Sequence, residues 1–321
     1  MNIEHSLIEH FPIEHYLLMP KSLIILLGPT GVGKTDLSID LANYFHTEII
    51  SCDSRQIFKE MSIGTAVPER HYLEAIPHHF IRSHSIHEYY NASKFEVEVL
   101  ERLELLFQKS DTVIMTGGSM MYIDAICKGF DDLPDISAEL RQSLMQRMES
   151  EGIEVLREEL LKLDPSYYNE VDLKNPKRIL RALEICITTG STYSASRTNE
   201  SKKRPFNIIK VGLNRDLEVL YQRINQRVDK MFVDGLEKEA VELKPFSHLN
   251  PLNTLGYREL FDYFSAKITL DEAIEKIKAN SRKYARKQLT WFRRDTEISW
   301  FTPEMTDEII AYIEQKLLPE N

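Results

Sequence analysis

The chain has 321 residues, 42% of them hydrophobic and 28% charged, which is typical of a globular protein with one large and one smaller domain. Its apolar runs are far shorter than the roughly 20 residues of a membrane-spanning helix, and its three cysteines are too dispersed for a disulfide framework or a zinc cluster. These features exclude a membrane partner and predict a cytoplasmic protein. The formal net charge of −10 argues against a protein that attracts nucleic acid through the electrostatic field of the whole chain.

We interpret residues 1–20 as an N-terminal tail. They contain Ile-Glu-His three times, ending at His5, His10 and His15, and this period of five residues matches neither a helix nor a strand. We expect a frayed or docked tail rather than a metal site. The remaining chain is predicted to form a catalytic core from 21–132 and 205–321, interrupted by a helical insertion at 133–204.

Short aliphatic runs at 23–27, 48–51, 112–116 and 208–213 predict strands, and the segments between them have helical patterns. This alternation favours an α/β fold with a parallel sheet covered by helices. Within the insertion, Asn175 is a candidate N-cap, Pro176 suits the first helical position, and Gly190 is expected to end that helix. Further helices are predicted at 34–45, 216–235, 257–265 and 270–292.

A phosphate-binding motif follows the first predicted strand and precedes a predicted helix. The pattern G-x-x-x-x-G-K-[ST] is fitted by Gly28, Pro29, Thr30, Gly31, Val32, Gly33, Lys34 and Thr35. Backbone amides and the helix N-terminus of such a loop surround a diphosphate, the lysine adds a positive charge, and the threonine hydroxyl binds Mg²⁺. The fold is therefore predicted to be P-loop NTPase-like, and nucleotide binding, ATP included, remains open.

The ends of the other strands argue against nucleotide hydrolysis. Such NTPases usually hold Mg²⁺ with an acid at the end of a second strand, but the run 112–116 leads into Gly117, Gly118 and Ser119. Asp53 instead follows the run 48–51, at the edge of the sheet where ligands bind. The sequence thus predicts a phosphate-binding site with a nearby carboxylate.

The last predicted long helix carries a local basic segment. Residues 276–294 include eight lysines or arginines and no acid, whereas 295–321 include seven acids and one lysine. Lys278, Arg282, Arg286 and Arg293 recur near helical spacing and predict a positive stripe suited to nucleic acid, although a solvated helix face has the same pattern.

Taken in order, these motifs resemble the tRNA dimethylallyltransferases, also called tRNA isopentenyltransferases, from Leu23 to Trp300. The matching segments are GPTGVGKT at 28–35, ISCDSRQ at 50–56, IGTA at 63–66, PHH at 77–79, TGGSMMY at 116–122, NPKR at 175–178, RALE at 181–184, RINQR at 223–227, LGYR at 255–258 and RKQLTWFR at 286–293. The resemblance implies transfer of a dimethylallyl group from dimethylallyl diphosphate to the exocyclic amine of the adenosine 3′ to the anticodon.

The resemblance also implies roles for individual residues. Asp53 would be the general base, Lys34, Arg227 and Mg²⁺ on Thr35 would stabilise the leaving diphosphate, and Ser119 would contact the reacting centre in place of the family's usual threonine. A base in the anticodon loop must flip into a channel to react. The residues implied to contact the tRNA anticodon stem-loop are Asp53, Ser54, Arg55, Gln56, Ser119, Arg141, Lys177, Arg178, Ile179, Leu180, Arg181, Asn253, Thr254, Leu255, Gly256, Tyr257, Arg258, Arg286, Lys287, Gln288, Trp291 and Arg293.

Three other functions remain as alternatives. A small-molecule or nucleoside kinase would share the phosphate loop and a strand-end aspartate, but the chain lacks the second strand-end acid and has the basic segment. An enzyme that prenylates free AMP or ADP would not need the helical insertion, and a non-catalytic RNA-binding protein would not need the phosphate loop beside Asp53. We expect a monomer.

Overall fold

The structure is a computed structural model that describes residues 21–131, 133–134, 136–197 and 201–318. The predicted N-terminal tail lies outside these residues. By their contacts, the described residues cluster into two compact units, one made of 21–127 and 204–318 and the other of 128–203. Within the described ranges, no helix has the length and apolarity needed to cross a bilayer.

The first unit is built on a parallel sheet, as predicted. Its strands are β1 (Ser22–Leu27), β2 (Ile49–Ser51), β3 (His78–His79), β4 (Thr112–Gly117), β5 (Asn207–Leu213) and β6 (Ser299–Phe301), in the spatial order β3-β2-β4-β1-β5-β6. In the register, Leu27 at the end of β1 lies opposite Gly117 of β4 and Gly212 of β5. The chain segments that follow these central strands therefore meet at one edge of the sheet.

The helices of this unit are α1 (Lys34–Tyr44), α2 (Arg70–Ala75), α3 (Ala92–Leu106), α4 (Met120–Lys128), α10 (Leu217–Val233), α11 (Leu236–Leu243), α12 (Tyr257–Phe264), α13 (Leu270–Phe292) and α14 (Thr306–Leu317), with 3₁₀ turns at Lys244–Phe246 and Asn250–Leu252. The single terminal residue Lys128 of α4 falls in the second unit. The predicted helices thus appear within two residues of their expected bounds.

Side chains on β1 alternate between two hydrophobic cores, because neighbouring residues of a strand point to opposite faces. Leu23, Ile25 and Leu27 join a cluster with α3, α4 and α11, whereas Ile24 and Leu26 join one with α1 and α14. All five side chains are fully buried. A sheet covered on both faces explains why its strands read as continuous apolar runs rather than as alternating ones.

The second unit contains α5 (Ala138–Glu151), α6 (Ile153–Leu163), α7 (Pro165–Glu170), α8 (Pro176–Thr189) and α9 (Tyr193–Ser196). Asn175 caps α8 as predicted, Pro176 occupies its first turn, and Gly190 ends it at φ 67°. The unit has its own core, which includes Leu156, Leu160 and Ile179.

Candidate functional site

The phosphate loop connects the end of β1 to the first turn of α1. Gly33 precedes α1 with φ 110°, in the left-handed region that a residue with a Cβ rarely adopts. The Lys34 ammonium donates to the carbonyls of Gly28 at 3.0 Å and Pro29 at 2.9 Å. The motif therefore folds into a compact loop with a lysine over it and a helix N-terminus behind it.

Two cations lie together beside this loop. Burial, and next the positive charge of Arg227, lower the pKa of Lys34 to about 8. Burial likewise lowers the pKa of Arg227, and the Asp53 carboxylate opposes that shift. Two partly desolvated cations with one nearby carboxylate form a site that favours a multiply charged anion.

Side chains from distant segments hold the loop in place. Gln288 of α13 accepts from the Thr30 backbone N–H at 2.9 Å and donates to the Gly118 carbonyl at 2.8 Å. Arg223 donates to the Gly31 carbonyl at 2.9 Å, and Arg215 to the Val32 carbonyl at 2.7 Å. Gln288 is 2% exposed and fixes the phosphate loop, and its implied RNA contact stays a prediction.

Asp53 lies in a tight turn directly after β2. Its Oδ1 accepts from the backbone N–H groups of Arg55 at 2.8 Å and Gln56 at 3.3 Å. Ser119, which follows β4, accepts from the Ser54 N–H at 2.8 Å and donates to the Ser54 hydroxyl at 3.1 Å. The two strand-end segments are thereby joined, and the predicted base and hydroxyl lie in one place.

Tyr284 of α13 completes this part of the site, although the sequence did not single it out as a site residue. Its hydroxyl is hydrogen-bonded to Ser119, and burial followed by the Asp53 charge raises its pKa to about 12. Tyr284 and Gln288 are four residues apart on α13, so helical spacing from the matched motif at 286–293 was a signal that could have found it.

These groups line a cavity of about 610 Å³ in the first unit. The sequence-predicted residues that the cavity brings together are Thr30, Gly31, Gly33, Lys34, Thr35, Asp53, Ser54, Arg55, Gln56, Ser119, Arg227, Asn253, Thr254, Leu255, Gly256, Arg258, Lys287 and Gln288. Among the described residues of its wall, seven are lysine or arginine and two are acids, Asp36 and Asp53. The cavity is thus strongly positive on a chain with a negative net charge.

Other predicted residues lie away from the cavity wall. Tyr257 is fully buried and donates to Glu239 at 2.6 Å, which is a structural contact, and its implied RNA contact stays a prediction. Trp291 donates to Asp124 at 3.1 Å, and Arg286 and Arg293 are exposed on or beside α13. Within the loop itself, Gly28, Pro29 and Val32 are not part of the wall.

The predicted positive stripe on α13 is only partly present. Lys278 lies 2.8 Å from Asp229 and 3.1 Å from Glu275, and Arg282 donates to Asn225 of α10. These two side chains pack against α10, so they do not present free charge to an RNA. The cavity side of α13 is formed instead by Lys283, Tyr284, Lys287 and Gln288 together with Ile277, Asn280 and Ser281.

The remaining predicted RNA contacts belong to the second unit. Lys177 and Arg178 are exposed in the first turn of α8, and Leu180 is half-buried. Ile179 is fully buried in the core of this unit, and its implied RNA contact stays a prediction. Arg141 makes two hydrogen bonds to Glu184, at 2.7 and 2.9 Å, and Arg181 lies 3.5 Å from the same carboxylate.

Comparisons with known proteins identify a family and several relatives. A family model described as IPP transferase matches residues 56–295. The tRNA dimethylallyltransferase 1 of Phocaeicola vulgatus is 56% identical over 295 residues, covering 92% of this chain and 98% of that protein. The tRNA dimethylallyltransferase 1 of Bacteroides fragilis is 53% identical over 297 residues, covering 92% and 99%.

Solved structures show the same similarity. The tRNA isopentenylpyrophosphate transferase of Bacillus halodurans has a TM-score of 0.68 at 33% identity, covering 92% of this chain and 97% of that one. A eukaryotic dimethylallyltransferase acting on tRNA has a TM-score of 0.75 at 26% identity, covering 92% and 77%. The P-loop-type α/β fold, the cavity and these relatives lead to one conclusion: the chain belongs to the IPP transferase family.

Proposed function

We propose that this protein transfers a dimethylallyl group from dimethylallyl diphosphate to the N6 amine of the adenosine 3′-adjacent to the anticodon of tRNA, giving N6-(dimethylallyl)adenosine and diphosphate. The main observation behind the proposal is that Lys34, Arg227 and Asp53 line the same positively charged cavity. The names of the relatives supply the substrate class. A tRNA substrate is consistent with the expected cytoplasmic location.

The acceptor amine needs a base because its lone pair is delocalised into the adenine ring. We assign this role to Asp53, which is held by the Arg55 and Gln56 backbone N–H groups beside Ser119. As the amine nitrogen bonds to C1 of the allylic chain, the C1–O bond breaks, the diphosphate leaves with the bonding electrons, and the carboxylate takes the proton. Ser119 and Tyr284 would orient the reacting groups next to that carboxylate.

The leaving diphosphate gains negative charge as the bond breaks. Lys34, Arg227 and the backbone amides of 33–35 would stabilise that charge, because a low-dielectric site strengthens each interaction. Arg223 and Arg215 donate to the Gly31 and Val32 carbonyls, which holds the backbone of the loop in place.

The oxygen atoms that could bind a metal ion here, from the Thr35 hydroxyl and the diphosphate, are hard ligands of the kind that Mg²⁺ prefers. Among the described residues, no group of three or more histidines, cysteines or acids forms a metal site. Mg²⁺ is commonly bound through few protein ligands and the substrate's own phosphates, so the Thr35 hydroxyl on the cavity wall would hold it together with the diphosphate. When bound, the ion would neutralise part of the diphosphate charge.

Basic side chains on the cavity wall would guide the RNA. Arg258, Lys283 and Lys287 are exposed or partly exposed on α12 and α13, where they can contact phosphates of the anticodon stem-loop. Lys177 and Arg178 offer further charge on the second unit. The adenosine would be extruded from the loop to reach Asp53.

The test is incubation of the protein with an unmodified tRNA transcript, Mg²⁺ and dimethylallyl diphosphate labelled in the prenyl group, followed by nucleoside analysis. We expect label in N6-(dimethylallyl)adenosine at the position 3′ to the anticodon. A transcript with guanosine at that position is the matched control. Label on free AMP or ADP but not on tRNA, or phosphorylation of a small molecule from ATP, would replace the proposal by one of its alternatives.

A further inference from the structure

Glu239 of α11 accepts hydrogen bonds from four donors in two different segments. Its Oε2 accepts from the backbone N–H groups of Ser62 at 2.9 Å and Ile63 at 2.8 Å. Its Oε1 accepts from the Gly64 N–H at 2.9 Å and the Tyr257 hydroxyl at 2.6 Å. A carboxylate that accepts from three consecutive backbone N–H groups fixes the path of that loop, because charged hydrogen bonds are stronger than neutral ones.

Both segments adjoin residues that line the cavity. Gly64, Thr65 and Ala66 line it from one side, and Asn253 to Gly256, which lead into Tyr257, line it from another. The backbone at Gly64 packs closely against Tyr257, because a Cβ added to Gly64 would lie 2.6 Å from the Tyr257 ring. Ala66 has a φ of 52°, a conformation that persists only when its surroundings hold it.

A second set of hydrogen bonds connects this loop to the candidate base. Gln56 donates its side-chain amide to the carbonyls of Thr65 at 3.2 Å and Ala66 at 2.8 Å. The backbone N–H of Gln56 in turn donates to Asp53 Oδ1 at 3.3 Å. A continuous series of contacts therefore runs from Glu239 through the 62–66 loop and Gln56 to Asp53.

We propose that Glu239 is a positioning residue for prenyl transfer, which sets the orientation of Asp53 through the 62–66 loop and Gln56 and ties that loop to the start of α12 through Tyr257. The proposal rests on the proposed function. It assigns the residue no contact with substrate and no role in binding the diphosphate, since the loop at 28–35 is held by other side chains.

The discriminating variant is Glu239→Gln. A glutamine of the same shape has one acceptor oxygen, so in either orientation of its amide at least one backbone N–H of residues 62–64 faces an NH₂ group. We expect the single-turnover transfer rate at saturating substrates to fall on the order of 10- to 100-fold, while the affinity for dimethylallyl diphosphate stays unchanged. Glu242→Gln, at an exposed site on the same helix, is the matched control. It should behave as the wild type.

Two further measurements separate positioning from a general loss of structure. Amide hydrogen exchange of residues 62–64 should accelerate in Glu239→Gln and not in Glu242→Gln, whether or not the protein is active. The rate losses of Glu239→Gln and Gln56→Ala should be non-additive, because both act along one series of contacts. Tyr257→Phe, which removes one of the four donors, should show a smaller loss in the same direction.

The inference would be overturned by wild-type turnover in Glu239→Gln, by additive losses, or by unchanged exchange of the 62–64 amides. An equal loss of diphosphate affinity would also overturn it, since that would place the effect at the phosphate loop. If the wild-type protein itself fails to prenylate tRNA, the proposed function fails, and the exchange measurement still reports whether Glu239 holds the loop.

Discussion

The Asp53 side chain stabilises its own backbone turn and is also the proposed general base. The Oδ1 atom of Asp53 accepts from the Arg55 and Gln56 N–H groups, which fixes the carboxylate at the end of β2. An aspartate in such a turn is common in loops of any function. What distinguishes this one is its surroundings, because Lys34 and Arg227 both lie near enough for its charge to shift their pKa values.

Asp53→Asn should keep the turn and lose the base. The amide oxygen can still accept from the Arg55 and Gln56 N–H groups, so we expect tRNA affinity to be retained. The single-turnover rate of prenyl transfer should fall on the order of 10²- to 10⁴-fold. Asp40→Asn, at an exposed site on α1, is the control. Near-normal turnover of Asp53→Asn would mean that another group removes the proton.

The lowered pKa of Lys34 predicts a pH dependence of diphosphate binding. Its pKa of about 8 means that the free protein carries the Lys34 charge below that pH and loses it above. A bound diphosphate favours the protonated form, so affinity should be highest below pH 8 and fall by up to about tenfold per pH unit above it. The Lys34→Met variant should bind diphosphate more weakly than the wild type. Its affinity should not change between pH 7.5 and 9.5, because phosphate groups with a second pKa near 6 stay ionised throughout that range. A wild-type affinity that is equally flat would refute this assignment.

At the scale of helices and strands, the sequence predicted the elements with strong local signals. The phosphate loop and the caps of α8 follow from short patterns around Gly33, Asn175 and Gly190, and β1, β2, β4 and β5 follow from short aliphatic runs. The edge strands β3 and β6 were missed because His78–His79 and Ser299–Phe301 lack the aliphatic run that marked β2, and two or three residues are too few to show a period. The role of Gln288 was also missed, because its partner Thr30 lies 258 positions away in the chain.

Gln288→Ala tests how α13 supports the phosphate loop. It would leave the Thr30 N–H and the Gly118 carbonyl without their present partner in a buried place, at about 1–3 kcal/mol for each group. We expect the free energy of unfolding in denaturant to fall by roughly 2–6 kcal/mol. Thr290→Ala, exposed on the same helix, should change it by no more than about 0.5 kcal/mol. Equal effects of the two substitutions would show that Gln288 does not hold the loop.

The first turn of α8 offers a test of RNA contact by the second unit. Lys177 and Arg178 are exposed there, whereas Arg141 is paired with Glu184. Replacing Lys177 and Arg178 together by alanine should weaken tRNA binding and reduce the slope of log affinity against log salt by somewhat under two units, or about 0.7 to 0.9 for each phosphate contact. Lys162→Ala, at an exposed site on α6, serves as the comparison. An unchanged slope would remove this turn from the interface.

At the scale of the whole molecule, the positions of the charged side chains matter more for the proposed function than the net charge of the chain. The chain has a net charge of −10, yet the cavity wall carries seven lysines or arginines among its described residues and two acids. The basic segment at 276–294 predicted a positive surface, but the fold uses Lys278 and Arg282 for packing. The cavity instead collects cations from Lys34 to Lys287, a convergence that no local pattern in the sequence shows.

The central claim is that a complete phosphate loop here serves a diphosphate leaving group rather than nucleotide hydrolysis. The most direct measurement compares prenyl transfer to tRNA in the complete absence of nucleoside triphosphate with phosphate release from ATP, with and without tRNA. β4 ends at Gly117 and is followed by Gly118 and Ser119, with no acid at the strand end, so we predict full transfer without ATP and negligible hydrolysis. A requirement for ATP, or tRNA-stimulated ATP turnover at about 1 s⁻¹ or more, would contradict the account.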